Sequence, residues 1–395
     1  MSNSSKSRLF GVLYFLLLLT VLAQTLVNRA GQVTFSSLEG TPVKPLSSIS
    51  RSSQPPVLIQ GFVCNPCGVK RVHAPSITTT VDGTVQTVWY GGTREGAKDV
   101  SIYRSIYLPK NLFWTPADVL IDRSESMEKL SRYIKKLGNP AIAIDNNRLW
   151  LFFVTVAAGG WSGSSISYLR SEDDGESWQT AGRIISSPFF NISTLVRTNP
   201  ISLPKGIVAI PAYHELAGKF SEFIYLSSEG EVLDKSRISW GRTTLQPAVI
   251  SLDGDILIAY MRNAATHRRK IAKATSLDNG KSWGKLHYLS LPNPDASVAA
   301  LKDNQGRIIV ALNNTTEGRR DMSLAVSLDN GSSRMVVHRF DYSEKDGAEF
   351  SYPSLIQATD GTYHLVYTWH RKRIKHVSFN QAWLDQRIAE ADEKQ

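Results

Sequence analysis

The chain has 395 residues, 42% hydrophobic and 20% charged, with 45 Lys+Arg against 35 Asp+Glu for a formal net charge of +10. That is an ordinary globular composition, and the basic surplus suits an acidic partner: an anionic sugar, a nucleic acid or an anionic membrane surface. No Lys/Arg block resembles a nucleic-acid arm, and His267-Arg-Arg-Lys270 reads as a short solvated cluster at a hairpin, so no nucleic-acid partner is expected.

Residues 1–30 contain Leu9 to Val27, nineteen residues without a charge, preceded by Lys6 and Arg8. The stretch is long enough to span a bilayer as a helix, and it also fits a signal peptide cleaved near Val21-Leu-Ala23. Both readings predict a hydrophobic N-terminal helix and export, with the folded body membrane-anchored or secreted outside the cytoplasm. Residues 31–56 are rich in Ser, Pro and Thr and read as a linker. Cys64 and Cys67, the two cysteines, stand as C-x-x-C, which in an exported chain fits a local disulfide.

From residue 57 to 382 short apolar runs alternate with turns. Examples are Thr84 to Tyr90, Leu149 to Val156, Asp255 to Tyr260, Arg307 to Leu312 and Tyr363 to Thr368, several preceded by Asp-Gly or similar turns. These are hairpin signals. Helix is predicted over Glu128 to Leu137 and from Gln381 onward, with residues 383–395 a polar tail. One pattern organises the body. Ser276-Leu-Asp-Asn-Gly-Lys-Ser-Trp283 recurs as Ser171-Glu-Asp-Asp-Gly-Glu-Ser-Trp178, and as Ser327-Leu-Asp-Asn-Gly-Ser-Ser-Arg334 without the tryptophan. Asp-x-Gly makes a hairpin turn, Ser and Asp tie the turn's backbone, and Trp plugs the gap between neighbouring sheets. Ser276 and Ser327 are 51 residues apart, and Ser171 and Ser276 are 105 apart, about two such periods. A period near 50 built of short strands predicts an all-β fold, a β-propeller of six blades.

Three stretches carry polar groups where strand patterning would place apolar ones. They are His73 to Ile77 with the Gly-rich loop Gly91 to Asp99; Arg262-Asn263 to Arg269, with Arg319-Arg320-Asp321 placed similarly; and Glu349 to Leu355, followed by a hairpin to Arg371. Together with the Asp boxes they resemble the sialidase (neuraminidase) superfamily, in its Asp-box (BNR-repeat) branch, over about Val72 to Val377.

The resemblance implies an exo-α-sialidase-like glycoside hydrolase with no metal and no organic cofactor, acting on an anionic glycan or polysaccharide. It assigns Tyr352, in Tyr352-Pro-Ser-Leu355 with a hairpin ending near Tyr367, as nucleophile and Asp99 as acid/base. Arg320 and Arg262 (with Arg269 close behind) are its anion-binding arginines, while His73 stands where a third arginine is usual. Gln246 replaces the glutamate that assists the tyrosine. Glu349 could stand in for that glutamate, but on strand alternation it points to the opposite face. Arg94, Asn199 and Arg371 are the foremost further pocket candidates. Tyrosine suits this chemistry because a carboxylate nucleophile would approach the sugar's own carboxylate. Arginines supply bidentate clamps, and an Asp must hold a proton for the leaving oxygen. His73 and Gln246 widen the expected substrates to uronic or other nonulosonic acids, and a titrating His73 would make binding pH-sensitive near its unperturbed pKa of about 6.5. Two other readings stand beside this one: a non-catalytic carbohydrate-binding propeller, and a polysaccharide lyase acting on uronic acids.

Overall fold

The computed structural model describes residues 53–109, 111–187, 191–216 and 218–394, together with Phe15, Leu16, Leu18 and Leu19. The chain divides into Met1–Thr41 and Pro42–Gln395. In the first unit the four described residues are helical and exposed. The rest of the Leu9–Val27 stretch and most of the linker lie outside the described residues, among which no helix is long and apolar enough to cross a membrane.

The second unit is a six-bladed propeller. Blade I is Arg71–Thr79, Val85–Gly92 and Ser101–Leu108, edged by Phe113–Trp114 and Asp118–Ile121. Blade II is Lys136–Asp145, Arg148–Val156, Ser164–Ser171 and Thr180–Arg183. Blade III has an inner strand broken into Leu195–Val196 and Ile201–Leu203, then Ile207–His214, Phe220–Leu226 and Val232–Arg237. Blade IV is Thr244–Ser251, Leu257–Asn263, Lys270–Ser276 and His287–Pro292, and blade V is Ala299–Lys302, Ile308–Leu312, Asp321–Ser327 and Met335–Tyr342. Blade VI takes Phe350–Gln357, Tyr363–Trp369 and Arg373–Phe379 from the end of the chain and its outer strand, Leu58–Cys64, from the beginning, in register from Leu58 opposite Phe379. The first strand therefore closes the ring. The Cys64–Cys67 disulfide sits at the end of that strand.

Sequence explains the strands simply. Each blade packs between two others, so its middle strands are covered on both faces and read as unbroken apolar runs. Arg148–Val156 is buried at every position after the first. The core accordingly lies between blades, as where Trp150, Phe152 and Val154 of blade II meet Ile210 and Ile224 of blade III.

The Asp boxes join the third and fourth strands of blades II, IV and V. In blade IV, Ser276 Oγ donates to Asp278 Oδ1 (2.7 Å) and accepts from Gly280 N (2.7 Å), while Asp278 accepts from Ser282 N (2.9 Å). Gly280 has φ +84°, and a Cβ there would stand 2.7 Å from Phe223 of blade III. Trp283 stacks edge-on to the same Phe223 and donates to Ser236 Oγ. The box is thus a wedge driven against the preceding blade. In the third box Arg334 takes the tryptophan's place, its guanidinium over the Tyr260 ring of blade IV at 5.6 Å. Blade III carries a shortened relative, Ser227-Ser-Glu-Gly230, with Ser227 Oγ accepting from Glu229 N and Glu231 N.

Two expectations are corrected. The predicted helix at Glu128 to Leu137 is instead Arg123–Lys129, because Asp122 caps it by accepting from Glu125 N (2.8 Å). Ser131 then takes a left-handed φ of +47°, which ends the helix, and Leu137 is drawn into the inner strand of blade II. The helix expected from Gln381 is present as Gln381–Asp392, capped by Asn380, but it is not a polar surface tail: it buries Trp383, Leu384 and Ile388 against blades V and VI.

Candidate active site

The innermost strands share a local device. Ala74, Asn139, Gln246 and Tyr352 have φ of +54°, +38°, +50° and +57°, and each immediately precedes a proline. At each of them the pairing register slips, between His73 and Ser76, Gly138 and Ala141, Leu245 and Ala248, and Ser351 and Ser354. These are bulges, which bend a strand and re-aim a side chain. In blade III the strand breaks altogether at Arg197 to Pro200, and before blade V's inner strand Asp295, after Pro294, has φ +60°. A non-glycine residue held at such φ costs about 1–3 kcal/mol, a strain that persists only where the surroundings over-determine it.

What the bulges gather is a cleft around Tyr352, which is half-buried. Its ring has the Arg197 guanidinium at 5.0 Å and that of Arg319 at 5.3 Å, and the His73 ring lies at 4.4 Å. Its hydroxyl accepts from Gln246 Nε2 at 3.5 Å, and Arg262 Nη1 donates to Gln246 Oε1 at 3.3 Å. Burial opposes the phenolate, yet the Arg262 and Arg319 charges and the Gln246 amide carry the Tyr352 pKa below that of free tyrosine. The neighbouring Tyr213, tied to Asn139 and Gln246, is pushed up by burial instead.

Each arginine is held. Asp295 takes Arg262 Nε on its carboxylate (2.6 Å) and Arg319 Nη2 on its carbonyl (3.1 Å). Glu349 takes Arg371 Nε (2.7 Å), Arg319 Nη1 (3.4 Å) and Ser351 Oγ (2.7 Å). Burial raises the Glu349 pKa, but these partners outweigh it and leave the carboxyl below its usual range. Arg371 Nη1 also meets Glu95 at 2.7 Å. Arg197 is fully buried and donates to the Tyr352 and Pro353 carbonyls. Burial lowers its pKa to about 10, still charged at neutral pH.

Several expectations change in three dimensions. Arg319, not Arg320, joins the cleft; Arg320 is exposed. The pair lies just before an outward strand, where adjacent side chains diverge. Glu349 does not point away: it precedes the bulged strand, where simple alternation fails, and stands 4.0 Å from His73 Nε2. His73 is 3% exposed; burial first, then Arg371, Arg319 and Arg197, hold its pKa well below 6.5, so it is neutral and does not titrate near neutrality. Its Nδ1 bonds Thr368 Oγ1. Asp99 is exposed and turned onto its own loop, accepting from Thr93 N and Oγ1 at 2.9 Å. Arg94 is exposed on that loop, and Arg269 half-buried at the rim. Tyr367 is buried and bonded to Asp341, outside the cleft. Asn199 is structural, accepting from Ser76 Oγ and Ser354 Oγ and donating to Ile77 O, so that it pins blades I, III and VI across the axis.

Sequence reading missed Arg197 and Glu95. Arg197 had a signal, a lone charge inside a run that packs as an inner strand. The recurrent X-Pro at the head of the inner strands marked the cleft as a whole.

The arrangement offers a phenol whose ionisation is eased by cations, beside three guanidinium groups (Arg262, Arg319 and Arg371) able to clamp an anion. Among the described residues, no carboxylate bonds the Tyr352 hydroxyl. Fold and site together define a six-bladed Asp-box propeller with an arginine-rich tyrosine cleft.

Comparison with known proteins places it. Residues 83–365 match the BNR repeat-like domain family. The chain belongs to that family. Among solved structures it resembles the Hadza microbial sialidase Hz136, with a TM-score of 0.69 and 17% identity over 81% of this chain and 68% of that one. The NanB sialidase of Streptococcus pneumoniae gives 0.65 and 12% over 86% and 71%, and the leech intramolecular trans-sialidase gives 0.64 and 13% over 82% and 70%. At such identities the likeness is one of fold. No curated protein sequence matches significantly.

Proposed function

We propose that the protein is a glycoside hydrolase that releases a terminal acidic sugar, a sialic or related acid, from a glycan. The carrying observation is Tyr352, its pKa depressed between Arg262 and Arg319. Charge adds support. Four guanidinium groups (Arg197, Arg262, Arg319, Arg371) face three carboxylates (Glu95, Asp295, Glu349), leaving one cation over, the complement of a monoanionic sugar.

In this reading the sugar carboxylate engages Arg262, Arg319 and Arg371 while the phenolic proton passes to water. The Tyr352 oxygen then attacks the anomeric carbon as the bond to the leaving oxygen breaks, and that oxygen takes a proton from the Thr93–Asp99 loop. Water cleaves the tyrosyl–sugar bond and restores the phenol. The resemblance assigns the proton to Asp99; Glu95 is the loop carboxylate already in contact with Arg371. The Cys64–Cys67 disulfide fits an oxidising compartment and supports placement outside the cytoplasm.

The test is release of free sugar from a panel of acidic glycans, followed by mass spectrometry, with Tyr352→Phe, Asp99→Asn and Glu95→Gln beside the wild type. Tyr352→Phe is expected to remove release, and whichever loop variant also loses it names the acid. Full release by Tyr352→Phe would refute the nucleophile. A second reading, a non-catalytic glycan-binding propeller, is favoured by Gln246, an amide where a proton acceptor would serve the tyrosine; binding without release from any substrate would establish it.

A further inference from the structure

We propose a second anion site on blade IV: a groove that binds a segment of polyanionic polysaccharide, separate from the Tyr352 cleft. The groove is an open depression of about 740 Å3 lined by His267, Arg268, Arg269, Lys270, Lys285 and His287, with no carboxylate in its wall. Among the described residues none of these six forms an ion pair. Some surface arginines elsewhere are paired, as Arg104 with Asp118 and Arg148 with Glu172, while others such as the exposed Arg94 and Arg320 stand singly among the described residues; what sets the groove apart is the number of cations gathered in one place. Like charges crowded without counter-charges repel one another, and an anionic ligand would supply what the chain omits.

The groove is built rather than incidental. Asn263 and Asn293, both fully buried, pin the basic loop from beneath. Asn263 Nδ2 donates to the carbonyls of Arg268 (2.5 Å) and Lys270 (3.0 Å), and Arg269 O accepts from Asn293 N (2.9 Å). The Arg268 guanidinium is laid over the Tyr288 ring at 4.5 Å, which preorganises it. Asn263 follows Arg262, and Asn293 lies two residues before its partner Asp295, so groove and cleft hang from the same two turns at one end of the propeller.

The ligand class follows from what the groove lacks. Single-stranded nucleic acid is held chiefly by large aromatic faces on which its bases stack, and here the one large ring, Tyr288, is covered by Arg268, leaving only the small imidazoles of His267 and His287. A chain bearing sulfates or carboxylates on successive sugars fits both the shape and the charge.

The test titrates the full chain with dextran sulfate, and with neutral dextran of equal length, by calorimetry at two salt concentrations. Dextran sulfate is expected to bind, more weakly at higher salt, and neutral dextran not at all. Combined Arg268→Ala, Lys270→Ala and Lys285→Ala substitutions are expected to weaken binding at least tenfold with an unchanged Tm. The charge-reversed pair Arg268→Glu and Lys285→Glu serves if that variant folds poorly. Tyr352→Phe and Arg371→Ala, both remote from the groove's turns, should bind as wild type, which keeps the outcome independent of any hydrolase activity. Wild-type affinity in both groove variants, or loss with Arg371→Ala alone, would overturn the site. Tighter binding of an oligothymidylate or of anionic phospholipid vesicles than of dextran sulfate would overturn the ligand class.

Discussion

At the scale of single residues the cleft turns on what stands beside the Tyr352 hydroxyl. Gln246 donates to it from 3.5 Å but cannot take its proton. Gln246→Glu would put a base at the same place, and general bases contribute about 10²–10⁴-fold. If Tyr352 is the nucleophile, the variant is expected to raise kcat at least tenfold on a substrate the wild type cleaves. An unchanged kcat would mean that deprotonating Tyr352 does not limit the reaction. His73 gives a second expectation. Burial and three arginines depress its pKa, so the imidazole stays neutral from pH 8 down through 6.5, and protonation begins only well below that. Its ring signals in a pH-titrated NMR series should therefore not shift over pH 6–8, and a midpoint near 6.5 would contradict the buried environment.

At the scale of elements, Asp boxes and bulges do opposite things. A box satisfies its own backbone: Ser276 Oγ serves Gly280 N and Asp278 together from a fully buried position. Ser276→Ala would strand the Gly280 N–H against blade III, and an unsatisfied buried group costs about 1–3 kcal/mol. Urea unfolding should report a loss of that size, while Ser251→Ala, on an exposed residue, should stay within about 0.5 kcal/mol. Equal values would mean the box contributes nothing as a wedge. The bulges instead hold left-handed φ at non-glycine residues, and their yield is the convergence of His73, Gln246 and Tyr352.

At the scale of the molecule, two buried polar groups tie blade VI to its surroundings, one on each side. Arg307, 1% exposed, bonds Asp303, Asp385 and Tyr363 and so ties blades V and VI to the C-terminal helix. Removing one partner of such a network leaves a buried charge unpaired, and Arg307→Ala is expected to lose about 3–5 kcal/mol in urea unfolding. Beside the seam between blades VI and I, His376 Nδ1 accepts from Trp114 Nε1, so its Nε2–H donates to His364 Nδ1 (3.0 Å). Burial pushes His364 down to about 4 and His376 well below 6.5. The unfolded chain binds these protons first as pH falls, so stability is full above about 6.5 and declines from there through about 4. The His364 shift alone corresponds to about 3 kcal/mol. His364→Gln should flatten the fall of Tm between pH 7 and 4; the same slope as wild type would remove this pair from the account.

The sequence alone determined the blades and much of the site's cast. Asp boxes, turn residues and apolar strand runs are local chemistry, and their spacing counted six blades without knowledge of any contact. His73, Arg262, Glu349, Tyr352 and Arg371 were legible because their stretches carry polar groups where strand patterning expects apolar ones, whereas Gln246 and the role of each residue came from the resemblance to the sialidase superfamily. Tertiary structure decided what sequence spacing cannot carry. It chose Arg319 over Arg320, since which neighbour faces inward depends on where the strand begins. It returned Glu349 to the cleft, because a bulge breaks alternation, brought Arg197 across the axis from blade III to the Tyr352 ring, and set Glu95 of the adjacent blade I against Arg371. It also made the C-terminal helix part of the core. Local motifs fix what each segment becomes; the closing of the ring fixes which side chains share a charge.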